Sequence, residues 1–218
     1  MSREAQCWVL VVPVKRLDLA KTRLGPPYDT VRAQLALAFA LDTTAAALAT
    51  SGVSEVVAVT DDSQAAARLR ELGAYVVPDE PDSGLNPALV HGARVAASRH
   101  PGCGSGALSG DLPSLDPVEL AHALSRAATH ETSFVRDAEG SGTTLVLATP
   151  GSALKPAFGA ASADRHTSAG HVEIGGGDLQ TVRQDVDTAA DLQAAVRLGV
   201  GPCTAALLSR LGIDEELG

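Results

Sequence analysis

The sequence predicts an α/β fold: a three-layer, mostly parallel, doubly wound sheet with an antiparallel addition. Up to about residue 129, short Val-rich runs alternate with Ala- and Leu-rich segments of helical length, which is typical of parallel sheets covered by helices. Hydrophobic residues make up 45% of the chain but aromatic residues only 3%, so we expect a core of Ala, Val and Leu. The 218 residues contain no repeat and no linker, and we expect one domain over 1–218 with an acidic tail from about 212.

The first predicted strand is the apolar run from Trp8 to Val12, which Pro13 ends. Its unbroken hydrophobicity indicates a strand that is covered on both faces. Asp29 or Thr30 is expected to cap the long helix that follows. The next predicted elements are this helix to about residue 50, a strand over 55–60, a helix capped by Ser63 to about 72, a strand over 74–77 and an amphipathic helix after Pro87.

In the second half, a flexible connection is predicted over 102–106, and the preceding alternation of elements requires a short strand at 107–109. Asp116 is expected to begin a helix to about 129. The β-rich runs 133–137 and 143–149 can form an antiparallel pair. After them we expect a loop-rich stretch over 150–177, a last strand over 179–186, a helix to about 198 and a terminal helix over 202–211.

Composition excludes several classes of protein. The formal net charge of -9 and the pI of about 5.0 argue against a nucleic-acid partner, because such binding relies on Lys and Arg. No apolar run is long enough for a membrane span and no signal peptide is evident, so we expect a soluble, cytoplasmic protein. Cys7, Cys103 and Cys203 lie far apart and are expected to be inert thiols. The sequence is compatible with a monomer and with a homodimer.

A cluster of cations follows the first strand. Lys15, Arg16, Lys21 and Arg23 fall within nine residues of an acidic chain. A local cationic site of this kind favours a small polyanion as ligand. The alternative is an ordinary solvated, basic start of a helix.

Three aspartates are candidates for a metal site. Asp185 and Asp187 are two residues apart and would project from the same side of an extended chain, and Asp111 follows another predicted strand. Such oxygen ligands suit Mg²⁺ with bound phosphates. The alternative is that each aspartate caps a helix or a turn.

The sequence lacks the P-loop, the dinucleotide-binding motif and the G-x-S-x-G motif. These absences argue against a P-loop NTPase, a standard dinucleotide-binding enzyme and an enzyme with a G-x-S-x-G nucleophile.

The sequence offers no convincing Ser-His-Asp or Cys-His arrangement, so the nucleophile should need no deprotonation. A phosphate monoester, with a second pKa of about 6, meets this requirement because it is largely dianionic at neutral pH. His166 and His171 lack metal-binding companions, and we expect them at the surface or in contact with substrate.

Six short motifs occur in order along the chain. They are Pro13-Val14-Lys15 with Ala20-Lys21-Thr22-Arg23-Leu24, Gly84-Leu85-Asn86, Gly110-Asp111-Leu112-Pro113, Asp137-x-x-Gly140-x-Gly142-Thr143-Thr144, Phe158-Gly159-x-x-Ser162 with Arg165-His166, and Asp185-Val186-Asp187-Thr188-x-x-Asp191-Leu192. Together they resemble the guanylyltransferases of deazaflavin coenzyme F-420 biosynthesis, called CofC or FbiD, which are related to the molybdenum-cofactor guanylyltransferases. The sequence departs from that family at Ala163, where an aromatic residue is usual.

The resemblance implies a nucleotide-diphospho-sugar-transferase-like sheet and a reaction of GTP with phosphoenolpyruvate or 2-phospho-L-lactate that releases pyrophosphate. It also implies a role for each matching residue. Val14, Lys15, Lys21 and Arg23 would bind GTP, with Gly84 and Asn86 near the base or ribose; Lys15, Lys21, Arg23 and Asp111 would be catalytic; Asp111, Asp185 and Asp187 would hold Mg²⁺; and Thr144, Gly159 and Ser162 would bind the acceptor. The alternatives are a transferase for another nucleotide or small phosphate, and a non-catalytic nucleotide-binding regulator.

Overall fold

A computed structural model describes residues 7–26, 28–80 and 82–212 of the chain. The strands are β1 Trp8–Pro13, β2 Val53–Val59, β3 Tyr75–Val77, β4 Gly104–Leu108, β5 Thr132–Arg136, β6 Thr143–Ala148 and β7 Val172–Glu173. They form one sheet in the order β3-β2-β1-β4-β6-β5-β7. The acidic residues 214–216 lie outside the described residues, as do Pro27 and Pro81, so the single domain over 1–218 stays a prediction.

Most neighbouring strands run parallel. β1 pairs in parallel with β2 and β4, and β2 pairs in parallel with β3. β6 runs antiparallel to both of its neighbours, β4 and β5, while β7 pairs with β5 in parallel. The mostly parallel sheet and its antiparallel addition are therefore confirmed, as is the antiparallel pairing of the two β-rich runs in the second half.

Helices cover both faces of the sheet and complete three layers. They are α1 Arg32–Ala49, α2 Ser63–Glu71, α3 Leu85–Arg99, α4 Pro117–Ala127, α5 Ser162–Ser168, α6 Gln180–Arg183, α7 Ala189–Leu198 and α8 Pro202–Leu211. α3 packs over Val9 and Val11 of β1, and α5 lies on the same side of the sheet, next to β5. α1, α2, α4 and α6 pack on the side of Leu10 and Val12. β1 is thus covered on both faces, as its unbroken apolar sequence predicts.

The last two helices lie outside the second layer. α7 and α8 pack against the outer side of α1 around Phe39, so that α1 is buried between them and the sheet. In the parts of the chain that the structure describes, no helix has both the length and the hydrophobicity that crossing a bilayer requires.

The segment 102–106 is not the predicted flexible connection, because most of it belongs to β4. Its glycines make room for large side chains of the neighbouring strands. A Cβ atom at Gly104 would lie 2.6 Å from the Trp8 ring, and one at Gly106 would lie 2.6 Å from Leu10 and 2.7 Å from Leu147. A run of glycines here indicates close packing between strands, not a linker.

The predicted last strand over 179–186 is also wrong. Its first part forms α6, and the remainder is an irregular segment that leads into α7. Leu179, Val182 and Val186 are buried. Their spacing of three and four residues fits a helical period and not the alternation of a strand.

Two predicted helix caps differ from the observed ones. α1 begins only at Arg32, after a 3-10 turn at Tyr28–Thr30, and no side chain caps it. Asp62, not Ser63, caps α2 by accepting hydrogen bonds from two backbone N–H groups. The predicted cap of α4 by Asp116 is confirmed.

The expectation that all three cysteines are inert thiols is also wrong. Cys7 and Cys103 form a disulfide whose Cα atoms lie 4.8 Å apart, and Cys203 alone is free. The two residues precede β1 and β4, which pair in parallel, so the sheet brings together cysteines that are 96 positions apart in sequence. Sequence spacing did not reveal the pair because it depends on the strand order.

We expect reduction of this disulfide to lower the free energy of unfolding by about 2–4 kcal/mol, because an open chain has more conformational freedom when unfolded. Urea denaturation with and without a reductant measures this difference. Cys7→Ser should abolish the effect of the reductant, whereas Cys203→Ser, which removes the free thiol, should preserve it. An equal response of all three proteins would contradict the prediction.

Candidate active site

The carboxyl ends of β1 and β4 open into a pocket of about 340 Å³. This is the point at which the strand order reverses, since β2 and β3 lie on one side of β1 and β4 on the other. Ligands of doubly wound sheets bind at such points. The polar lining comprises Lys15, Lys21, Thr22, Arg23, Ser109, Asp111 and Asp187, and the apolar wall includes Val14, Leu17, Ala36, Ala40, Leu85, Leu89 and Phe158.

The residues 14–24, which we call the basic loop, are fastened to the sheet and to α2. The backbone N–H of Val14 donates to Val59 O over 2.9 Å, and that of Leu17 donates to Asp62 Oδ2 over 3.0 Å. Partial burial opposes the charge of Asp62, but its backbone hydrogen bonds outweigh this effect and lower its pKa. The position of the loop is therefore part of the fold.

Lys21 is the central cation of the pocket. It has a positive φ of 55°, which is uncommon outside glycine, and it lies between two 3-10 turns of the basic loop. Its ammonium group donates to Asp111 Oδ2 and, over 3.2 Å, to Asp187 Oδ1. Burial opposes the charge of Lys21, but the two carboxylates more than compensate and raise its pKa. Lys21 is thus held in its charged form.

Arg23 and Lys15, two further cations of the loop, are more accessible than Lys21. Arg23 donates to Asp187 Oδ2 over 3.0 Å while its side chain stays 66% exposed. Lys15 is exposed and lines the pocket, and its side chain makes no hydrogen bond or ion pair with any residue that the structure describes. Both groups can therefore contact a ligand without the loss of a buried interaction.

The three predicted metal ligands lie at the same edge of the sheet. The Val186 N–H donates to Asp111 O over 3.1 Å, which holds the segment of Asp185 and Asp187 beside the turn after β4. Burial, together with the charges of Asp111 and Asp187, raises the pKa of Asp185 to about 8. Asp111 Oδ1 is buried and has no hydrogen-bond partner among the described residues. Crowded carboxylates and an unpartnered oxygen fit a hard divalent cation.

These three aspartates do not form a preformed set of ligands, because the Lys21 ammonium lies between Asp111 and Asp187. Within the described ranges, the group of three acidic side chains whose oxygens all lie within 4.8 Å of one another is a different one: Asp61 and Asp79, which follow β2 and β3, and Asp82, shortly before α3.

Gly84 and Asn86 lie at the start of α3. Gly84 precedes the helix with a φ of 107°. The Asn86 amide is occupied: its Nδ2 donates to Phe158 O over 3.1 Å and its Oδ1 accepts from the Phe158 N–H over 2.8 Å. Asn86 therefore holds the loop that contributes Phe158 to the pocket wall, and a direct contact with a nucleotide stays a prediction.

The three predicted acceptor ligands lie on β6 and around the start of α5. Thr144 is buried, and its hydroxyl has no partner among the residues that the structure describes. Ser162 is buried and donates to Thr143 Oγ1 over 3.1 Å. Gly159 is exposed, with a φ of 122°. Their role as acceptor ligands stays a prediction.

His166 and His171 are both buried, so of the two expected positions the one at the surface is wrong, and contact with substrate stays a prediction. The His166 Nε2 accepts from the Ala157 N–H over 2.9 Å, and its Nδ1 lies 3.0 Å from Thr143 Oγ1. Burial and then the charges of His171 and Arg165 lower its pKa to about 4. Arg165-His166 belongs to one of the six motifs, but the motif did not predict the hydrogen bonds of His166 with Ala157 and Thr143.

Comparison with known proteins identifies the family. The MobA-like NTP transferase domain family matches residues 23–172. A phosphoenolpyruvate guanylyltransferase from Thermomonospora curvata is 54% identical over 204 residues, which cover 94% of this chain and 90% of the relative. One from Streptomyces avermitilis is 53% identical, with 97% of this chain and 98% of the relative covered. The chain belongs to the phosphoenolpyruvate guanylyltransferase family.

Solved structures agree on the fold. A protein described as a nucleotide-diphospho-sugar transferase from Desulfovibrio desulfuricans superposes with a TM-score of 0.67 at 15% identity and covers 96% of this chain and 97% of its own. A nucleotidyl transferase from Methanothermobacter thermautotroptrophicus gives a TM-score of 0.55 at 18% identity, over 88% of this chain and 97% of its own. The predicted nucleotide-diphospho-sugar-transferase-like sheet is confirmed.

The lowered pKa of His166 makes stability depend on pH. Between about pH 6.5 and pH 4 the unfolded chain binds a proton at this histidine and the folded chain does not, so folding loses stability as the pH falls. The free energy of unfolding, relative to that of His166→Gln, should decrease by about 2 kcal/mol from pH 7.5 to pH 5. Urea denaturation of both proteins measures it, and a difference that stays constant with pH would contradict the prediction.

Proposed function

We propose that this protein transfers GMP from GTP to phosphoenolpyruvate and releases pyrophosphate. The observation that carries this proposal is the pocket at the carboxyl ends of β1 and β4, in which the basic loop contacts Asp111 and Asp187. Relatives that are 54% and 53% identical are named phosphoenolpyruvate guanylyltransferases, which supports the choice of nucleotide and acceptor.

In the proposed reaction, a phosphate oxygen of the acceptor forms a bond to the α-phosphorus of GTP. The bond from that phosphorus to the oxygen that bridges the α- and β-phosphates breaks, and pyrophosphate leaves. The acceptor phosphate is largely dianionic at neutral pH because its second pKa is about 6, so the chain needs no residue to deprotonate it. The task of the protein is to bring the acceptor phosphate and GTP, two anions, together and to balance their negative charge.

The basic loop can perform this task. Lys15 and Arg23, which are exposed at the pocket, would contact the phosphates of GTP. Lys21 would contribute a fixed positive charge, because its pKa is raised by the neighbouring carboxylates. The buried Val14 would form the adjoining wall, fixed by its hydrogen bond to β2.

Asp111, Asp185 and Asp187 would hold a divalent cation, for which we propose Mg²⁺. Two observations support this assignment. One oxygen of Asp111 has no partner among the described residues and is free to bind a cation, and the raised pKa of Asp185 shows that too little positive charge surrounds these carboxylates. Bound Mg²⁺ would neutralise charge on the phosphates of GTP and of the leaving pyrophosphate.

Thr144, Gly159 and Ser162 are the proposed contacts of the acceptor. The alternative acceptor is 2-phospho-L-lactate, which carries the same phosphate and carboxylate. A side-by-side assay of pyrophosphate release from GTP with each compound tests the function and the choice of acceptor. Tight binding of GTP without release with either acceptor would favour a nucleotide-binding regulator instead.

Asp111→Asn should reduce Mg²⁺-dependent release of pyrophosphate by at least 100-fold, because the variant loses a charge that both the cation and Lys21 require. Steady-state turnover over a range of Mg²⁺ concentrations measures the loss. Asp178→Asn, which removes a surface ion pair with Arg126, serves as the control and should retain wild-type turnover. Equal turnover of the two variants would remove Asp111 from the proposed metal site.

Arg23→Ala should lower kcat/KM for GTP at least tenfold, because an arginine that contacts a transferring phosphoryl group contributes strongly to the rate. Arg16→Ala is a matched control, since Arg16 belongs to the same loop, is 64% exposed and also pairs with an aspartate, Asp18. It should stay within about twofold of wild type. Both variants should melt near the wild-type temperature, and a large loss of stability in Arg23→Ala alone would indicate a structural role.

A further inference from the structure

A single buried side chain joins the segments that surround the proposed acceptor site. His166, on α5, has no exposed surface. Its Nε2 lies 2.9 Å from the Ala157 backbone nitrogen, and its Nδ1 lies 3.0 Å from Thr143 Oγ1. Ser162 donates to the same threonine oxygen over 3.1 Å. His166 thus links the start of β6, the loop before α5 and the first residue of α5.

The partners determine which ring nitrogen carries the proton. A backbone N–H can only donate, so the His166 Nε2 that faces Ala157 must accept and is unprotonated. The proton of the neutral ring lies on Nδ1, which donates to Thr143 Oγ1. Burial lowers the pKa of His166 to about 4, so this neutral form prevails at neutral pH. The two hydrogen bonds differ in polarity, and another side chain must reproduce both to replace His166.

We propose that His166 is the positioning residue of the acceptor site: it fixes Thr144, Gly159 and Ser162 relative to one another without itself contacting the acceptor. This inference rests on the proposed function, in which those three residues bind the phosphate and carboxylate of the acceptor. Thr144 directly follows the threonine that His166 holds, and Gly159 follows Ala157 by two residues. Ser162 is linked to the His166 ring through the Thr143 hydroxyl.

The same loop is held from its other side. Asn86 of α3 bonds both the N–H and the carbonyl of Phe158, and Arg165 of α5 donates to the carbonyl of Ala157 over 2.8 Å, so side chains from two helices fix consecutive peptide groups. The Phe158 ring contacts the His166 ring edge-on, with centroids 5.9 Å apart, and also lines the pocket. Loss of His166 would leave the Ala157 N–H without its partner, while Asn86 and Arg165 still hold the adjacent peptide groups.

Three variants separate the two hydrogen bonds. His166→Leu removes both, His166→Asn keeps a donor near the position of Nδ1, and His166→Gln keeps an acceptor near the position of Nε2. We expect His166→Leu to raise the KM of the acceptor at least tenfold, with kcat reduced less than threefold and the KM of GTP changed less than twofold, because binding of the acceptor alone is weakened. His166→Asn and His166→Gln should each recover part of the loss.

Hydrogen exchange of the backbone amides provides a measurement that does not depend on turnover. The Ala157 amide should exchange at least tenfold faster in His166→Leu and His166→Asn than in wild type, and near the wild-type rate in His166→Gln. If wild type showed no turnover with either acceptor, the proposed function would fail, and the exchange rates would still decide whether His166 holds this loop. If His166→Leu does not fold, the comparison of the Asn and Gln variants decides the same point.

His171→Leu is the matched control. His171 is also buried, packs against His166 with ring centroids 5.3 Å apart, and has two ring nitrogens without a hydrogen-bond partner in the described part of the chain. It should retain the wild-type KM of the acceptor and the wild-type exchange rate at Ala157. An unchanged acceptor KM in folded His166→Leu, a parallel rise in the KM of GTP, or an equal effect of His171→Leu would overturn the inference.

Discussion

The ammonium group of Lys21 is the contact on which the arrangement at the strand ends depends. Asp111, Asp185 and Asp187 are brought to one edge of the sheet, and burial, together with the charges of the other two, raises the pKa of Asp185 to about 8. Lys21 lies between the other two and donates a hydrogen bond to each of them. Two unit charges 4 Å apart interact by about 4 kcal/mol at an effective dielectric constant of 20, so without this cation the carboxylates would repel one another strongly.

The backbone of the basic loop places Lys21 at this position. The loop is bonded to β2 through Val14 and to the cap of α2 through Leu17, and Lys21 has a positive φ between its two turns. A basic segment that was merely solvated would need none of these contacts. The positive charge at the pocket is therefore a consequence of the α/β frame, and this explains how an acidic chain maintains a cationic site.

The sequence predicted secondary-structure elements that follow from a local residue pattern, but it did not predict contacts between segments that only the folded chain brings together. The unbroken apolar run of β1 predicted its burial, and the two β-rich runs predicted an antiparallel pair. The disulfide between Cys7 and Cys103, the glycines of β4 and the contacts of His166 all arise between segments that are distant in sequence. The apolar and β-branched residues of 179–186 also suggested a strand, because a short run does not distinguish helical spacing from alternation.

Asn86 illustrates a limit of carrying a role from motif to residue. Its position in a Gly-Leu-Asn motif suggested a contact with the base or ribose, but its amide oxygen and nitrogen are both engaged by the backbone of Phe158. The Nδ2 group keeps a second N–H and the Oδ1 atom a second lone pair, so the bonds to Phe158 do not block a ligand but add a structural role to the predicted contact. That role is to hold the wall of the pocket, beside Ala157, whose N–H donates to His166. Motif residues at this site thus include some that shape the backbone around the ligands, and their loss should alter the geometry of binding before it removes a direct contact.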